Sequence, residues 1–391
     1  MVIPSKLSND IAKLRVAHSI IVWLPLTATW VYNQLRFASS LSHIVLALQT
    51  QNLEKYPWTP IYAPDRVNRF IYRVGRRLKL KVYPSAYHAA INQHHSRILH
   101  SHFGDQGWRD LPLARAHRLK HVVTFYGYDV NMLPAIDEKW RKRYLELFAR
   151  ADLFLCEGTF MANSLVSLGC PAEKVRVHHL GVDLEKIPFR PRKIQEKKPI
   201  RILIASTFRE KKGIPYAVSA VGKLRKKHCD VQLTIIGGST GQKLEEEEKK
   251  KIYRAIDEHD LRSNVRLLGF QPQEVLMEQA YDHHIFLSPS LTASNGDTEG
   301  GAPVSIIEMA ASGMPVVSSR HCDIPEVIPE GVSGLLADER DVDGLVKHLK
   351  WLVENPERWA SLADKGRRYI EREYSAAIQG ERLEQIYKKL I

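Results

Sequence analysis

The chain has 391 residues, 44% of them hydrophobic and 26% charged, with a formal net charge of +13. That length and balance suit two or three globular domains with sizeable cores and exclude a disordered or collagen-like chain. Its four cysteines, Cys156, Cys170, Cys229 and Cys322, form no CxxC pair, which excludes a disulfide scaffold and fits reduced thiols in a cytoplasmic protein. The first strand-like run is VAHSIIVWL, from Val16 to Leu24. It stops at Pro25, and no window reaches the roughly 18 apolar residues a bilayer span needs. The N-terminus lacks the charge, apolar run and small-residue cleavage site of a secretory leader.

A basic segment begins at Arg66. Arg66, Arg69, Arg73 and Arg76 recur at intervals of three and four, so they share one helical face with Phe70 and Val74 beside them. Such a face is either a solvated helix surface or a contact with an anionic membrane surface. Net positive charge also attracts nucleic acid, but the chain carries no nucleic-acid-binding motif, and nucleic acid is not an expected partner.

Further strand-like runs are HIVLAL, SRILHSHF, KHVVTFY, DLFLCEG and VRVHHLGV, then IRILIAS, VQLTIIG, VRLLGF, HIFLSPS and PVVSS. Continuous apolar strands alternating with helical periods predict α/β domains whose parallel sheets are covered on both faces. FRPRKIQEKKP, residues 189 to 199, is polar without an apolar period and marks the expected boundary. The reading is a first domain over 1–190 and a second over 195–374. The adjacent histidine pairs, His94–His95, His178–His179 and His283–His284, lack metal-ligand spacing to a third partner, so no metal is expected.

Two loops of the second half carry chemistry. IRILIASTFREKKGIPYAV reads as strand, loop, helix, and its loop holds Arg209, Glu210, Lys211, Lys212 and Gly213. Cations at a helix start suit a diphosphate. From Ser288 to Ile328 a strand leads into a Gly- and Asp-rich loop, a helix opening at Pro303 and stopping at Gly313, and a strand over Met314 to Ser318. Open α/β sheets bind ligands at such carboxyl strand ends. Glu299 and Glu308 flank this helix start, and the amides near Gly300, Gly301 and Ala302 are placed to hold an anion.

TEGGAPVSIIEMAASGMPVVSS resembles the paired-glutamate signature of retaining GT-B glycosyltransferases of the group 1 (family 4) type, which include bacterial surface-polysaccharide enzymes. The resemblance implies two Rossmann-like doubly wound domains with an interdomain cleft, and a terminal helix, about 375–391, returning to the first domain. It implies a nucleotide-sugar donor, a glycan or lipid-linked acceptor, and neither metal nor cofactor. Glu308 then binds the donor ribose and Glu299 lies near the donor sugar, with Asp297 able to share that role. The family has seven residues between its two glutamates, and here there are eight. Lys212 matches the family's lysine before a glycine. The family's arginine position is Ser206 or Thr207 here, so Arg209 is assigned to the phosphates instead. Gly269 and Phe270 match the turn that holds the base, and Gly237 the glycine turn of the donor cleft.

In the first half, ILHSHFGDQG resembles a family turn and brings in His102. VVTFYGYDV resembles the family's TFHGxD segment with Tyr126 in the place of the histidine and Asp129 on the acceptor side. A phenol is a poor base at neutral pH. A dinucleotide-dependent oxidoreductase would need GxGxxG after the first strand, which is absent. A nucleotide-sugar epimerase of the same fold is the alternative enzyme.

Overall fold

The computed structural model describes residues 13–25, 30–77, 83–194, 198–227 and 230–391; Cys229 and the side chains of Arg73 and Arg76 lie outside what is described. The chain divides into one unit of Met1–Gly181 with Ala376–Ile391, and a second of Val182–Ser375.

Among its described residues the first unit holds seven strands: β1 (Arg15–Trp23), β2 (Ser42–Thr50), β3 (Ile61–Tyr62), β4 (Ile98–His102), β5 (Lys120–Thr124), β6 (Leu153–Cys156) and β7 (Val175–Val177). They pair in parallel in the order β3-β2-β1-β4-β5-β6-β7. Alternate residues serve two cores, which is why these strands read as unbroken apolar runs. Ala17, Ile44, Leu46 and Leu99 pack with Ile91 and Leu113 on one face. Val16, Ile98, Val122 and Leu155 pack with Leu383 and Tyr387 on the other. The last two belong to the helix Ala376–Leu390, the chain's return to this unit. Gly380 lets that helix approach closely: a Cβ there would lie 2.3 Å from the Phe37 carbonyl oxygen.

The second unit holds β8 (Ile200–Ala205), β9 (Val231–Ile236), β10 (Val265–Gly269), β11 (Ile285–Ser288), β12 (Val316–Ser319) and β13 (Gly334–Ala337). Their order is β10-β9-β8-β11-β12-β13, all parallel. This is the doubly wound order, which reverses direction between β8 and β11. Ile202, Leu233 and Leu287 face Ile214, Val221 and Leu345; Leu203, Phe286 and Val316 face Ile306, Met309 and Ile370.

The boundary differs from the expected one. The polar stretch from residue 189 lies inside the second unit, and the division falls at Gly181 and Val182. Arg192 is the reason. Its guanidinium is buried and donates to the carbonyl oxygens of Ala280, His283 and Ser312 and to Ser312 Oγ. A fully hydrogen-bonded arginine anchors a segment whose composition alone looks solvated. Pro303 also sits one residue earlier than expected, as N-cap of the helix Val304–Ala311.

Candidate functional site

At the strand-order reversal of the second sheet, the loops after β8 and β11 leave the carboxyl edge side by side. They are joined along their length. The Leu291 amide donates to the Lys211 carbonyl at 2.8 Å, and the Ser294 amide and hydroxyl donate to the Glu210 carboxylate at 3.0 and 2.7 Å. Gly213 has φ +62, and a Cβ there would lie 2.0 Å from the Pro289 carbonyl oxygen, so only glycine fits this crossing.

Three cations and two carboxylates interleave here. Lys212 Nζ lies 2.8 Å from Glu299 Oε2, while Ser290 Oγ donates to Glu299 Oε1 at 2.7 Å. Lys211 is buried, 3.1 Å from Asp297 Oδ1, and donates to the Thr298 carbonyl at 2.7 Å. Arg209 Nη2 lies 3.0 Å from Asp297 Oδ2. Burial alone pushes the Glu299 carboxyl up, but Lys212 and Lys211 beside it and the bonds from Lys212 and Ser290 outweigh that and hold it at about 2. Burial lowers Lys212 against the opposing pull of Glu299. Glu299 is therefore a fixed anion that cannot serve as a proton donor at neutral pH.

The Gly300 amide already donates to Thr298 Oγ1 at 3.2 Å, which removes it from the anion-binding amides of that turn. Gly301, Ala302 and the start of the helix Val304–Ala311 follow directly. Glu308 stands on this helix's second turn and accepts from Gln273 Nε2 at 2.9 Å. Burial pushes its carboxyl up to about 7, which the Gln273 bond only partly offsets. Two glycine turns border the same edge. Gly237 (φ +120) donates to the Gly269 carbonyl at 2.8 Å, and a Cβ on it would meet the Ser206 carbonyl oxygen at 1.9 Å. Gly269 (φ +66) leads to Phe270, whose ring is half exposed and lies near Gly238.

In the first unit the reversal lies between β1 and β4. His102 ends β4 and is fully buried, with Nδ1 2.6 Å from the Tyr126 hydroxyl and Nε2 3.1 Å from His18 Nδ1. Both ring nitrogens are engaged, so His102 reaches a ligand only through its neighbours. Tyr126 is 8% exposed, with its hydroxyl also 3.3 Å from the Gln34 side chain. Asp129 is fully buried; its oxygens accept from the Gly104 amide at 2.7 Å and the Tyr126 amide at 3.0 Å, and burial raises its carboxyl to about 7. Both oxygens hold this unit's own backbone, so Asp129 ties the β4 and β5 turns together and presents no free oxygen to an acceptor. Phe103, between His102 and Gly104, is held at φ +76, a conformation non-glycine residues rarely adopt.

The family description "Glycosyl transferases group 1" matches residues 186–369, and "Glycosyltransferase Family 4" matches 28–186. Together they cover both units. The chain belongs to the group 1 glycosyltransferases. It is 35% identical over 271 residues to the amylovoran biosynthesis glycosyltransferase AmsK of Erwinia amylovora, covering 69% of this chain and 64% of that one. It is 28% identical over 296 residues to a putative colanic acid biosynthesis glycosyltransferase, WcaL, of Escherichia coli K12, covering 74% and 70%. The chain thus spans about two thirds of these relatives' lengths. In fold it is similar to the Anabaena protein HepE, solved in complex with UDP and glucose, with a TM-score of 0.75 and 13% identity over 96% of this chain and all of that one.

Within this glycosyltransferase's second unit, sequence reading singled out Arg209, Lys212, Glu299 and Glu308 but missed their support. Lys211 is the buried clamp on the Asp297 turn. His321 is the other. The Glu299 amide donates to His321 Nε2 at 3.1 Å, so the ring proton sits on Nδ1, 2.6 Å from Glu339 Oε1. Glu339 also accepts from the Thr292 amide at 2.8 Å. His321 thus fixes the backbone that carries Glu299. Its only signal in the sequence is a position two residues past a strand. Cys322 adjoins it, but burial pushes that thiol up to about 12, so it supplies no thiolate nucleophile.

Proposed function

We propose that the protein transfers a sugar from a nucleotide-sugar donor to a glycan or lipid-linked acceptor, with retention of anomeric configuration, in surface-polysaccharide synthesis. The observation that carries this is the Lys212–Glu299 pair, 2.8 Å apart at the strand-order reversal, with Glu308 on the helix that follows. The relatives' names, and the UDP and glucose bound to the Anabaena protein, support it.

The chemistry follows from charge. Cleaving the anomeric bond puts negative charge on the leaving diphosphate. Lys212, Arg209 and the amides from Gly301 into the following helix stabilise that charge where it grows, which is where fixed cations and dipoles act best. Glu299 orients the donor sugar as a permanent anion. Glu308 is poised differently. Ribose hydroxyls donating to it favour the charged form, so donor binding below about pH 7 releases a proton from this carboxyl. Fixed cations on the diphosphate make a divalent metal unnecessary, so turnover should survive EDTA.

On the first unit, the helix Arg66–Arg77 exposes Val67, Phe70 and Ile71. With Arg66 on it, this surface suits contact with an anionic membrane that would carry a lipid-linked acceptor. Among the described residues no helix is long and apolar enough to cross a membrane.

The test is a thermal-shift screen of UDP-, GDP- and ADP-sugars. One of them at 100 times its Kd should stabilise the protein by about 2.7 kcal/mol. If none does, the donor reading fails. Conversion of the sugar without any acceptor would instead make the protein an epimerase.

A further inference from the structure

The buried histidines on β1, β2 and β4 are spent on one another and on their surroundings. His18, His43, His100 and His102 are each engaged at both ring nitrogens. That leaves no lone pair for a metal ion, although nitrogens of His18, His100 and His102 lie within 4.8 Å of one another. His121 on β5 differs. It is 2% exposed, and among the described residues its Nδ1 has no hydrogen-bond partner.

The proton on this ring can be placed. Ser101 Oγ donates its one hydrogen to Asp110 Oδ2 at 2.7 Å. His121 Nε2, 2.9 Å from the same oxygen, is therefore the N–H donor of that pair. Burial lowers the ring to about 4 against the opposing pull of Asp152, so it is neutral at neutral pH. Nδ1 is thus a buried lone pair, and it costs free energy until an O–H or N–H group meets it.

Strand geometry sets its direction. Residues two apart in a strand share a face. Val123, on that face, packs with Leu111 of the helix Gly104–Ala116 and with Leu147 and Phe148 of the helix Lys139–Arg150. His121 faces the same layer, one step nearer the amino edge of the sheet. There the layer opens into a cavity of about 520 Å³ that His121 helps to line. Small-molecule sites occupy roughly 300–1,000 Å³.

The wall of this cavity is cationic. Arg115, Arg118, Lys120 and Arg150 line it, against one carboxylate, Asp152. Lys120 is paired with Asp152 at 3.0 Å, and Arg150 with Glu146 at 3.3 Å. Arg115 and Arg118 make no ion pair among the described residues. Basic residues at helix C-termini offset the helix dipole, which accounts for Arg115 and Arg150. It accounts neither for the cavity nor for Arg118, which stands past the helix end at φ +53, where glycine is the unstrained choice. The apolar lining residues Leu111, Ala114 and Leu119 are recessed, each 8% exposed or less.

We propose that this cavity is a second ligand site, at the opposite end of β5 from the turn that carries Tyr126 and Asp129, and that it takes a sugar or polyol phosphate. The phosphate meets Arg115 and Arg118, and a hydroxyl of the same molecule donates to His121 Nδ1. Both halves are needed. A phosphate dianion has no proton for the lone pair, and a neutral sugar has no charge for the arginines. The headgroup of a phospholipid shares this chemistry. The recessed apolar residues favour a soluble ester, since bilayer contact uses exposed apolar side chains and none of the lining residues offers one. The site is independent of the donor reading and stands roughly 13 Å, the length of β5, from the carboxyl edge of its sheet.

The test is calorimetry on the full chain with glucose 6-phosphate as the probe, beside glucose and inorganic phosphate. The ester should bind, and each fragment at least about tenfold more weakly, because each leaves one half of the site unmet. Lys212→Ala should bind the ester as the wild type does, which separates this site from the donor loop. Arg118→Gly is the decisive substitution. It removes the guanidinium and suits the φ +53 backbone, so the protein should keep or gain stability while affinity falls about tenfold or more. Long-range proton–nitrogen NMR on the 15N-histidine-labelled chain reads the other half. His121, assigned by its loss in His121→Gln, should be a neutral Nε2–H tautomer, and the ester should move its Nδ1 away from the free, pyridine-type shift. Arg118→Gly reports even where His121→Gln fails to fold. No binding at millimolar ester, wild-type affinity in Arg118→Gly, or loss of binding in Lys212→Ala overturns the proposal. So does binding of phosphatidic acid vesicles without any binding of the soluble ester. Inorganic phosphate as tight as the ester, an unmoved His121 Nδ1, or an imidazolium in the complex overturns the hydroxyl contact. Failure of the nucleotide-sugar screen, by contrast, leaves every one of these results unchanged.

Discussion

Lys212→Ala should slow sugar transfer far more than it weakens donor binding. In the unliganded protein Arg209, Lys211 and Lys212 face Asp297 and Glu299, so three positive charges against two negative leave a net +1. Removing Lys212 takes this to zero just where the diphosphate gains charge. Loss of one preorganised stabilising group costs about 100- to 1,000-fold in kcat, roughly 3–4 kcal/mol. Ground-state binding, shared with Arg209 and helix amides, should weaken about tenfold, or roughly 1.4 kcal/mol. Stability should fall as well, because among the described residues Glu299 keeps only Ser290 and Lys211, the latter 4.0 Å away. Its carboxyl, held at about 2 against an ordinary 4.5, is worth on the order of 3 kcal/mol at neutral pH, and Lys212 is the largest favourable contributor. The assay is steady-state release of nucleoside diphosphate, with calorimetry for donor Kd and urea unfolding for the fold. A wild-type kcat would refute the argument. So would an equal fall in affinity and kcat/KM, since that marks binding common to ground and transition states.

Glu308→Gln should weaken donor binding by about 1.5–3 kcal/mol, read by calorimetry. The same variant should be the more stable protein at pH 8. Burial holds the wild-type carboxyl at about 7, so its contribution is complete below 4.5 and is lost as pH rises through 7; equal urea midpoints at pH 8 would contradict this. Glu299 runs the opposite way: its stabilisation is present above 4.5 and disappears as pH falls toward 2, so Lys212→Ala should flatten the acid limb of stability against pH. Gly237→Ala should lower stability by roughly 1–3 kcal/mol or more, because φ +120 is strained for alanine and its Cβ would lie 1.9 Å from the Ser206 oxygen. Gly241→Ala, with open space around its Cβ, isolates the backbone part of that cost, and equal melting temperatures for the two variants would remove the steric argument. Arg66→Glu with Phe70→Glu should reduce co-sedimentation with anionic vesicles at low salt; unchanged sedimentation leaves that helix a solvated surface.

Much of the fold was legible because parallel sheets leave a one-dimensional trace. Strands buried on both faces become continuous apolar runs, and the alternating helices between them set the sheet type. Arg209, Lys212, Glu299 and Glu308 were legible because they stand in loops between a strand end and a helix start, which Gly213, Pro303 and Gly313 punctuate. What sequence could not carry was register. His18, His43 and His102 lie 25 and 59 residues apart in the chain and meet only because β1 lies between β2 and β4. Adjacent histidine pairs drew attention instead, yet His178 and His179 lie against different carbonyl oxygens, those of Gln379 and Glu157. His321 was missed, and Lys211 was read only as one of the loop cations, for a related reason: a buried polar group is identified by its partners, and theirs come from another loop. The domain boundary erred because polarity was read as solvation, whereas Arg192 is buried among carbonyl oxygens.

The most direct test is a crystal structure with the nucleoside diphosphate of the stabilising nucleotide sugar. The diphosphate should lie within hydrogen-bond reach of Lys212 Nζ and the amides after Gly300, and the ribose hydroxyls on Glu308. A nucleotide bound elsewhere in the second unit, or with its phosphates away from Lys212, would contradict it.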